Sequence, residues 1–295
     1  VSAQSTNRRD ILYNSPLRIR DRSPQSPALS DVLAEIVRHK HTEVQAAKAA
    51  LPESELIQQA MDTPQPRNFY TALTRPEGRL RVIAEVKKAS PSAGLIREDF
   101  DPVAIAQAYE ANGAAAISCL TDEKYFQGSL DYLAQIKQSV AVPVLRKDFI
   151  VDPYQVYEAR AAGADAILLI AECLTEPMLM DLLILATELK LSTLLEVHDL
   201  ESLVQIKQHL TFPKAGYTLL GINNRNLKTM KTDLSHTIDL LGEVPDKSIL
   251  VSESGIRTHD DIQHLANHGI HRVLVGEHLM KQPDPGLALR QMMGD

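Results

Sequence analysis

The sequence predicts an α/β fold, a closed (βα)8 barrel with an N-terminal helical extension, and three observations lead there. From Arg79 onward, short apolar and β-branched runs recur eight times. Helical segments separate them at about the spacing of one βα unit, the crossover that parallel strands require. Glycine follows several of those helices, in "NGA", "AGA" and "HGI", where Gly113, Gly163 and Gly269 suit the left-handed cap. An open doubly wound sheet has units of similar length, but no GxGxxG or P-loop glycine pattern follows the first strand.

Three regions follow in order. Residues 1–28 carry several prolines and no periodicity, as in "SPLRIRDRSPQSP". They are expected to form a flexible or extended arm, with Ile11, Leu12, Tyr13, Leu17 and Ile19 as its few anchors. Residues 29–78 read as a helical extension packed on the barrel. Leu29, Val32, Leu33, Ile36 and Val37 recur at three and four, Ser30 is a candidate cap, and "PESELIQQAMD" and "RNFYTAL" continue the pattern. Residues 79–295 are expected to be the catalytic barrel. Its strands are "LRVIAEV", "AAAISCL", "VPVLRKD", "ADAILLI", "LSTLLEVH", "YTLLGIN", "SILVSES" and "HRVLVGE".

Composition narrows the function classes. A chain of 295 residues with 44% hydrophobic and 23% charged residues is long enough to bury one barrel-sized core. The net charge of -7 and the lack of a dense basic tract argue against nucleic acid as a partner. No run approaches the roughly 18 to 20 apolar residues of a membrane span, so no membrane partner and a cytoplasmic location are expected. Cys119 and Cys173 sit in or beside strand-like runs and read as buried thiols of a reducing compartment. No HExxH, paired CxxC or His/carboxylate spacing points to a metal, so none is expected. The "HKH" at His39 to His41 reads as a solvated helix face.

In such a barrel, chemistry collects at the C-terminal ends of the strands. The first strand offers Glu85 and Lys87, two apart and so on one face. The third offers Lys147, followed by Asp148 and Phe149, and the fifth offers Glu196 with His198. The sixth ends in Asn223 with Arg225 two further on, and the seventh in Glu253 flanked by Ser252 and Ser254. Lysines and glutamates gathered in one mouth compensate one another's charge and hold pKa values away from solution. Glycines at Gly255 and Gly276, after the last two strands, suit a phosphate held by backbone N–H groups, with Glu277 beside it. Ser90, in the loop after the first strand, flanks the same place.

The segments "IAEVKKASPSAG", "DFDPVAIAQAYEANGAAAISCLTDEKYFQGS", "VPVLRKDFIVDPYQVYEARAAGADAILLI", "LLEVHD", "LGINNRNL", "SESGI" and "RVLVGEHLM" strongly resemble the indole-3-glycerol phosphate synthase family. The resemblance runs in order from about Ser30 to the C-terminus. It implies a TIM barrel and a lyase of tryptophan biosynthesis with no metal or organic cofactor. Such an enzyme converts 1-(2-carboxyphenylamino)-1-deoxyribulose 5-phosphate to indole-3-glycerol phosphate, releasing carbon dioxide and water. The implied catalytic residues are Lys147, Lys87, Glu196 and Glu85. Asn223, Arg225, Glu253, Ser254 and Phe149 would bind the substrate, Phe149 as a wall for the anthranilate ring. Ser90, Gly255, Gly276 and the backbone near Glu277 would hold the phosphate. Two departures are mild: Cys119 replaces a small apolar residue, and Ala93 stands where the family often has lysine.

The expected partner is thus a small phosphorylated anion, and the expected state a monomer, with a weak dimer as the alternative. Spacing leaves open which lysine serves ring closure and which dehydration, and whether Glu196 or Glu85 is the base. Two other phosphate-binding barrel enzymes use some of the same features. A Schiff-base aldolase needs a strand-end lysine, and a phosphoribosyl anthranilate isomerase usually needs a cysteine and an aspartate. Here Cys119 ends the second strand, not the first.

Overall fold

A computed structural model describes residues 31–226 and 229–294 of the chain. The expected arm with its anchors, Leu29 and the candidate cap Ser30 lie outside the described residues. Eight parallel strands form the barrel: β1 (Arg81–Val86), β2 (Ala116–Leu120), β3 (Val144–Lys147), β4 (Ala166–Ile170), β5 (Ser192–Val197), β6 (Thr218–Asn223), β7 (Leu250–Glu253) and β8 (Arg272–Val275). They pair in sequence order, and β1 closes the ring by pairing with both β2 and β8. Ile83 lies opposite Ala116 on one side and Leu274 on the other, so the register is continuous through the closure. Closure excludes the open-sheet alternative.

The βα rhythm has local causes. Asp101, Ser129, Asp152, Thr175, Asp199 and Thr258 each cap a helix by accepting a backbone N–H, satisfying donors that the first turn leaves free. Gly113, Gly163 and Gly269 take positive φ at the helix ends, the conformation their sequence context predicts. Apolar runs such as Ala166–Ile170 are buried throughout, as parallel strands covered by helices must be.

The extension runs along the barrel from mouth to base. Helix α1 (Asp31–Ala50) begins beside the C-terminal mouth, where Leu33 and Ile36 line the cavity. Farther along, Val44 packs with Leu56 of α2 (Glu53–Asp62) and with Tyr154, whose hydroxyl donates to Ala47 O at 3.0 Å. Helix α3 (Phe69–Thr74) then crosses the base, burying Phe69 and Leu73. Arg272, at the lower end of β8, donates from Nε to Leu73 O at 2.9 Å. Arg67 donates to Val142 O and Lys137 O, at 2.9 and 3.1 Å, fixing the loop before α3.

The expected apolar stripe of α1 needs one correction. Val32 is exposed, and Leu33, Ile36, Lys40 and Val44 form the buried face. Lys40 is 4% exposed, so the middle residue of "HKH" leaves the solvated face on which His41 stays exposed. Its ammonium meets Asp122 and Asp148, each at 2.9 Å, and a buried cation with such partners occupies a core position. Those aspartates are distant in sequence, which is why helical periodicity could not show the pairing. No helix among the described residues is long and apolar enough to cross a membrane.

Candidate active site

The strand ends open into a cavity of about 440 Å³ at the C-terminal mouth. Glu85, Lys87, Lys147, Glu196, Asn223 and Glu253 all reach it, from five of the strands or the residues just after them. Period-two alternation makes this possible, since a strand-end side chain directed inward has its partner two residues away directed the same way. Phe149 lines the same cavity, with Phe126 at a ring-centroid distance of 6.1 Å.

Lys147 stands at the centre. Its Nζ is 3.1 Å from Glu196 Oε2 and 3.6 Å from Glu253 Oε2. Burial opposes its charge, but Glu196, Glu253 and Glu85 outweigh burial and raise its pKa above the ordinary lysine value. The two glutamates beside it are driven apart. Burial would raise Glu196, yet Lys147 and then His198 hold its carboxyl well below the usual range. Glu253 is pushed well above that range by burial and by the Glu196 charge, with Lys147 opposing. Glu196 is therefore the more acidic carboxyl of the pair and Glu253 the one that binds its proton more tightly. Asn223 Nδ2 donates to Glu196 Oε1 at 3.3 Å.

Two glycines make room for these side chains. A Cβ at Gly221 would collide with Glu253 Oε1, and one at Gly276 with Glu85 Oε1. Lys87 Nζ donates to Glu85 Oε1 at 2.6 Å, a second ion pair next to that of Lys147. Glu85 and Lys87, charged residues at the end of an apolar strand, thus turn inward and onto one another.

On the opposite wall, Ser254 and Gly255 both take positive φ, 69° and 83°. They line the cavity together with Gly276 and Glu277. Arg225 crosses between loops, donating to Ser92 Oγ at 2.9 Å and to Glu277 Oε2 at 3.2 Å. Arg257 and Lys281 add cationic groups to this wall, and neither stood out in the sequence. Ser90 is placed differently from the rest. It is buried, does not line the cavity, and accepts Ala93 N–H at 3.2 Å within its own turn.

Two further carboxylates have partners that sequence reasoning did not show. Asp148, adjacent to Lys147, turns its carboxylate to Arg146, Thr121 and Lys40. Burial opposes its charge, but Arg146, then Lys40, lower its pKa to about 2. Glu172, in the turn after β4, accepts His198 N–H at 2.7 Å. His198 was visible beside Glu196, but nothing in the spacing showed that Glu172 completes its surroundings. Among the described residues no His, Cys, Asp or Glu group is arranged to hold a metal ion.

A closed barrel with paired ammonium and carboxyl groups at its mouth and a glycine-lined cationic wall defines a class: a (βα)8-barrel enzyme with its site at the C-terminal ends of the strands. Residues 33–292 match the model of one family in that class, indole-3-glycerol phosphate synthase. The chain belongs to that family. It is 51% identical over 246 residues to an indole-3-glycerol phosphate synthase of Rhodopirellula baltica, covering 83% of this chain and 92% of that one. Identity to the Leptothrix cholodnii enzyme of the same name is 50% over 263 residues, covering 88% and 98%. Among solved structures, 3-hexulose-6-phosphate synthase from Salmonella typhimurium aligns at TM-score 0.57 and 14% identity, over 73% of this chain and 97% of that one. That likeness concerns the fold alone.

Proposed function

We infer that this chain closes the indole ring, converting 1-(2-carboxyphenylamino)-1-deoxyribulose 5-phosphate to indole-3-glycerol phosphate with loss of carbon dioxide and water. The observation that carries the reading is Lys147, an ammonium held at the centre of the mouth within reach of Glu196. Ring closure joins the carboxyl-bearing ring carbon to the ketone carbon, and the ketone oxygen must gain a proton or strong positive polarisation. Lys147 supplies it as general acid or electrostatic partner. Loss of carbon dioxide then restores aromaticity. The new hydroxyl leaves as water with a proton from Lys87, and a base removes the proton from the neighbouring ring carbon.

Glu196 is our first choice for that base and Glu85 the second. Facing Lys147, Glu196 is ion-paired and weakly basic. When Lys147 turns to the substrate ketone, Glu196 loses its strongest counter-charge and its proton affinity rises. Asn223 and Glu253 hold substrate hydroxyls and the lysine's orientation, and Arg225 is the fork for the substrate carboxylate. Phe149 walls the aromatic ring. The loops at Ser254–Gly255 and Gly276–Glu277 take the phosphate, with Ser90 supporting the loop beside it. The expected partner remains a small phosphorylated anion.

The alternatives fit less well. A Schiff-base lysine must attack as the free amine, whereas the carboxylates around Lys147 keep it charged. Cys119 is fully buried, and burial pushes its thiol far from the thiolate an isomerase would need. The test is direct: give the purified protein the carboxyphenylamino-deoxyribulose phosphate and follow indole fluorescence. The chain has no tryptophan to obscure that signal. Absence of an indole product from the wild-type protein would overturn the function.

A further inference from the structure

His198 is a buried ring with a carboxylate on each nitrogen. Nδ1 lies 3.2 Å from Glu172 Oε2, and Nε2 lies 3.2 Å from Glu196 Oε1. A neutral imidazole donates from one nitrogen only, so its other nitrogen would face a carboxylate lone pair to lone pair unless that carboxyl carried a proton. Neither carboxyl has reason to. Glu172 Oε1 already accepts the His198 backbone N–H at 2.7 Å. Glu196 already faces Lys147 at 3.1 Å and accepts from Asn223 at 3.3 Å. Both are acceptors at every contact, and the ring must donate from both sides.

We infer that His198 is a positioning residue that stands in the mouth as an imidazolium, keeping Glu196 ionised and its Oε2 turned to Lys147. The inference rests on the reading of Glu196 as a proton acceptor. The ring occupies Oε1, and so leaves Oε2 as the oxygen that faces Lys147 and, once that lysine moves, the substrate. It also acts as a fixed second cation, which lets Glu196 remain a carboxylate after Lys147 has turned away.

The surroundings are consistent from every side. Glu172 comes from the turn after β4, and Glu196 from β5 with Lys147 and Glu253 beyond it. The helix after β6 contributes His236, whose Nε2 donates to His198 O at 3.0 Å and fixes the backbone. Lys231, Asp233 and Asp239 line the polar cleft behind the ring, Cys173 follows Glu172, and Asp199 caps the next helix. Burial alone would lower the His198 pKa, but Glu172 and Glu196 raise it to about 10.

The test reads protonation, which a merely structural role would not set. In protein labelled with 15N-histidine, one of the ten histidines should keep both ring nitrogens at imidazolium shifts up to about pH 9. That signal should vanish in His198→Asn. If His198→Asn does not fold, the signal that moves in Glu172→Gln assigns it. Glu172→Gln removes one counter-charge, so the imidazolium should titrate within roughly pH 7–9. The kcat of that variant, relative to wild type at each pH, should fall across this window by about ten-fold as Glu196 loses its alignment. A neutral ring in the wild type at pH 8, or a Glu172→Gln to wild-type ratio that is flat with pH, overturns the inference. A wild type without indole synthesis would instead remove the positioning role while leaving the measured charge state in place.

Discussion

Lys40 Nζ and Asp148 Oδ1 stand 2.9 Å apart, joining a helix outside the barrel to the residue that follows Lys147. The same ammonium reaches Asp122, which caps the short helix bearing Phe126. One lysine thus ties α1 to both loops that carry the aromatic wall. Lys40→Met should leave two buried carboxylates short of a counter-charge. The expected cost is roughly 3–5 kcal/mol, the usual size for breaking a buried pair. Thermal melting should fall by on the order of 10 °C. Asp122→Asn in the same chain should recover part of that loss, and additive losses in the double variant would contradict the pairing.

Lys147→Ala should abolish most turnover while leaving substrate binding largely in place. The anchors proposed for phosphate and carboxylate lie elsewhere, so the lost interaction should matter most as charge develops on the ketone oxygen. A fall in kcat of at least about 10²–10⁴-fold is expected, with KM little changed. Lys147→Arg should rescue little, because a planar guanidinium hardly gives up a proton. Steady-state kinetics decide it, and near wild-type turnover by Lys147→Ala would leave the function standing without this mechanism.

Gly221→Ala tests the packing of Glu253. The new methyl would occupy the place of Glu253 Oε1, so Glu253 must shift. A destabilisation of about 1–3 kcal/mol is expected for such overpacking. Adding Glu253→Ala should relieve much of it in urea unfolding, though not restore activity. Equal stability of Gly221→Ala and wild type would show that the carboxyl lies elsewhere.

Stability should depend on pH in two windows with opposite signs. Asp148 is depressed from 3.8 to about 2, so its contribution is present above the unfolded value and is lost as pH falls through about 2. His198 is raised from 6.5 to about 10, so its contribution is complete below the unfolded value and is lost as pH rises through about 10. Denaturant unfolding at a series of pH values should therefore show a flatter alkaline decline in His198→Asn than in wild type. It should show a flatter acid decline in Asp148→Asn. Parallel curves in either case would remove that group from the pH dependence.

The wall proposed to take the phosphate should bind an inorganic anion in the absence of substrate. Competitive inhibition by sulfate or phosphate is the expected behaviour, reduced in Arg257→Ala because a cation on that wall is lost. Indifference to high phosphate would count against the loops at Gly255 and Gly276 as the anion site.

The strand ends were legible in the sequence because they rest on local physics. Alternation along a strand places Glu85 with Lys87 and Glu196 with His198, and helix caps and turn glycines mark where each βα unit begins and ends. Eight such units in a row imply a mouth, and the mouth implies which residues meet. Local pattern says nothing about partners far away in the chain. Lys40 read as a solvated cation because its two aspartates lie in loops more than eighty residues on. Ser90 was expected beside the phosphate, and local pattern did not show that it is buried and accepts the Ala93 N–H of the turn that follows it. Most of all, the sequence determined that Glu196 and Glu253 would share one space with Lys147, without saying which binds its proton more tightly. That was decided by three dimensions: His198, Asn223 and Lys147 converge on Glu196, whereas Glu253 is buried without a hydrogen-bond donor among the described residues. Charge follows solvation and neighbours, and both are properties of the assembled barrel.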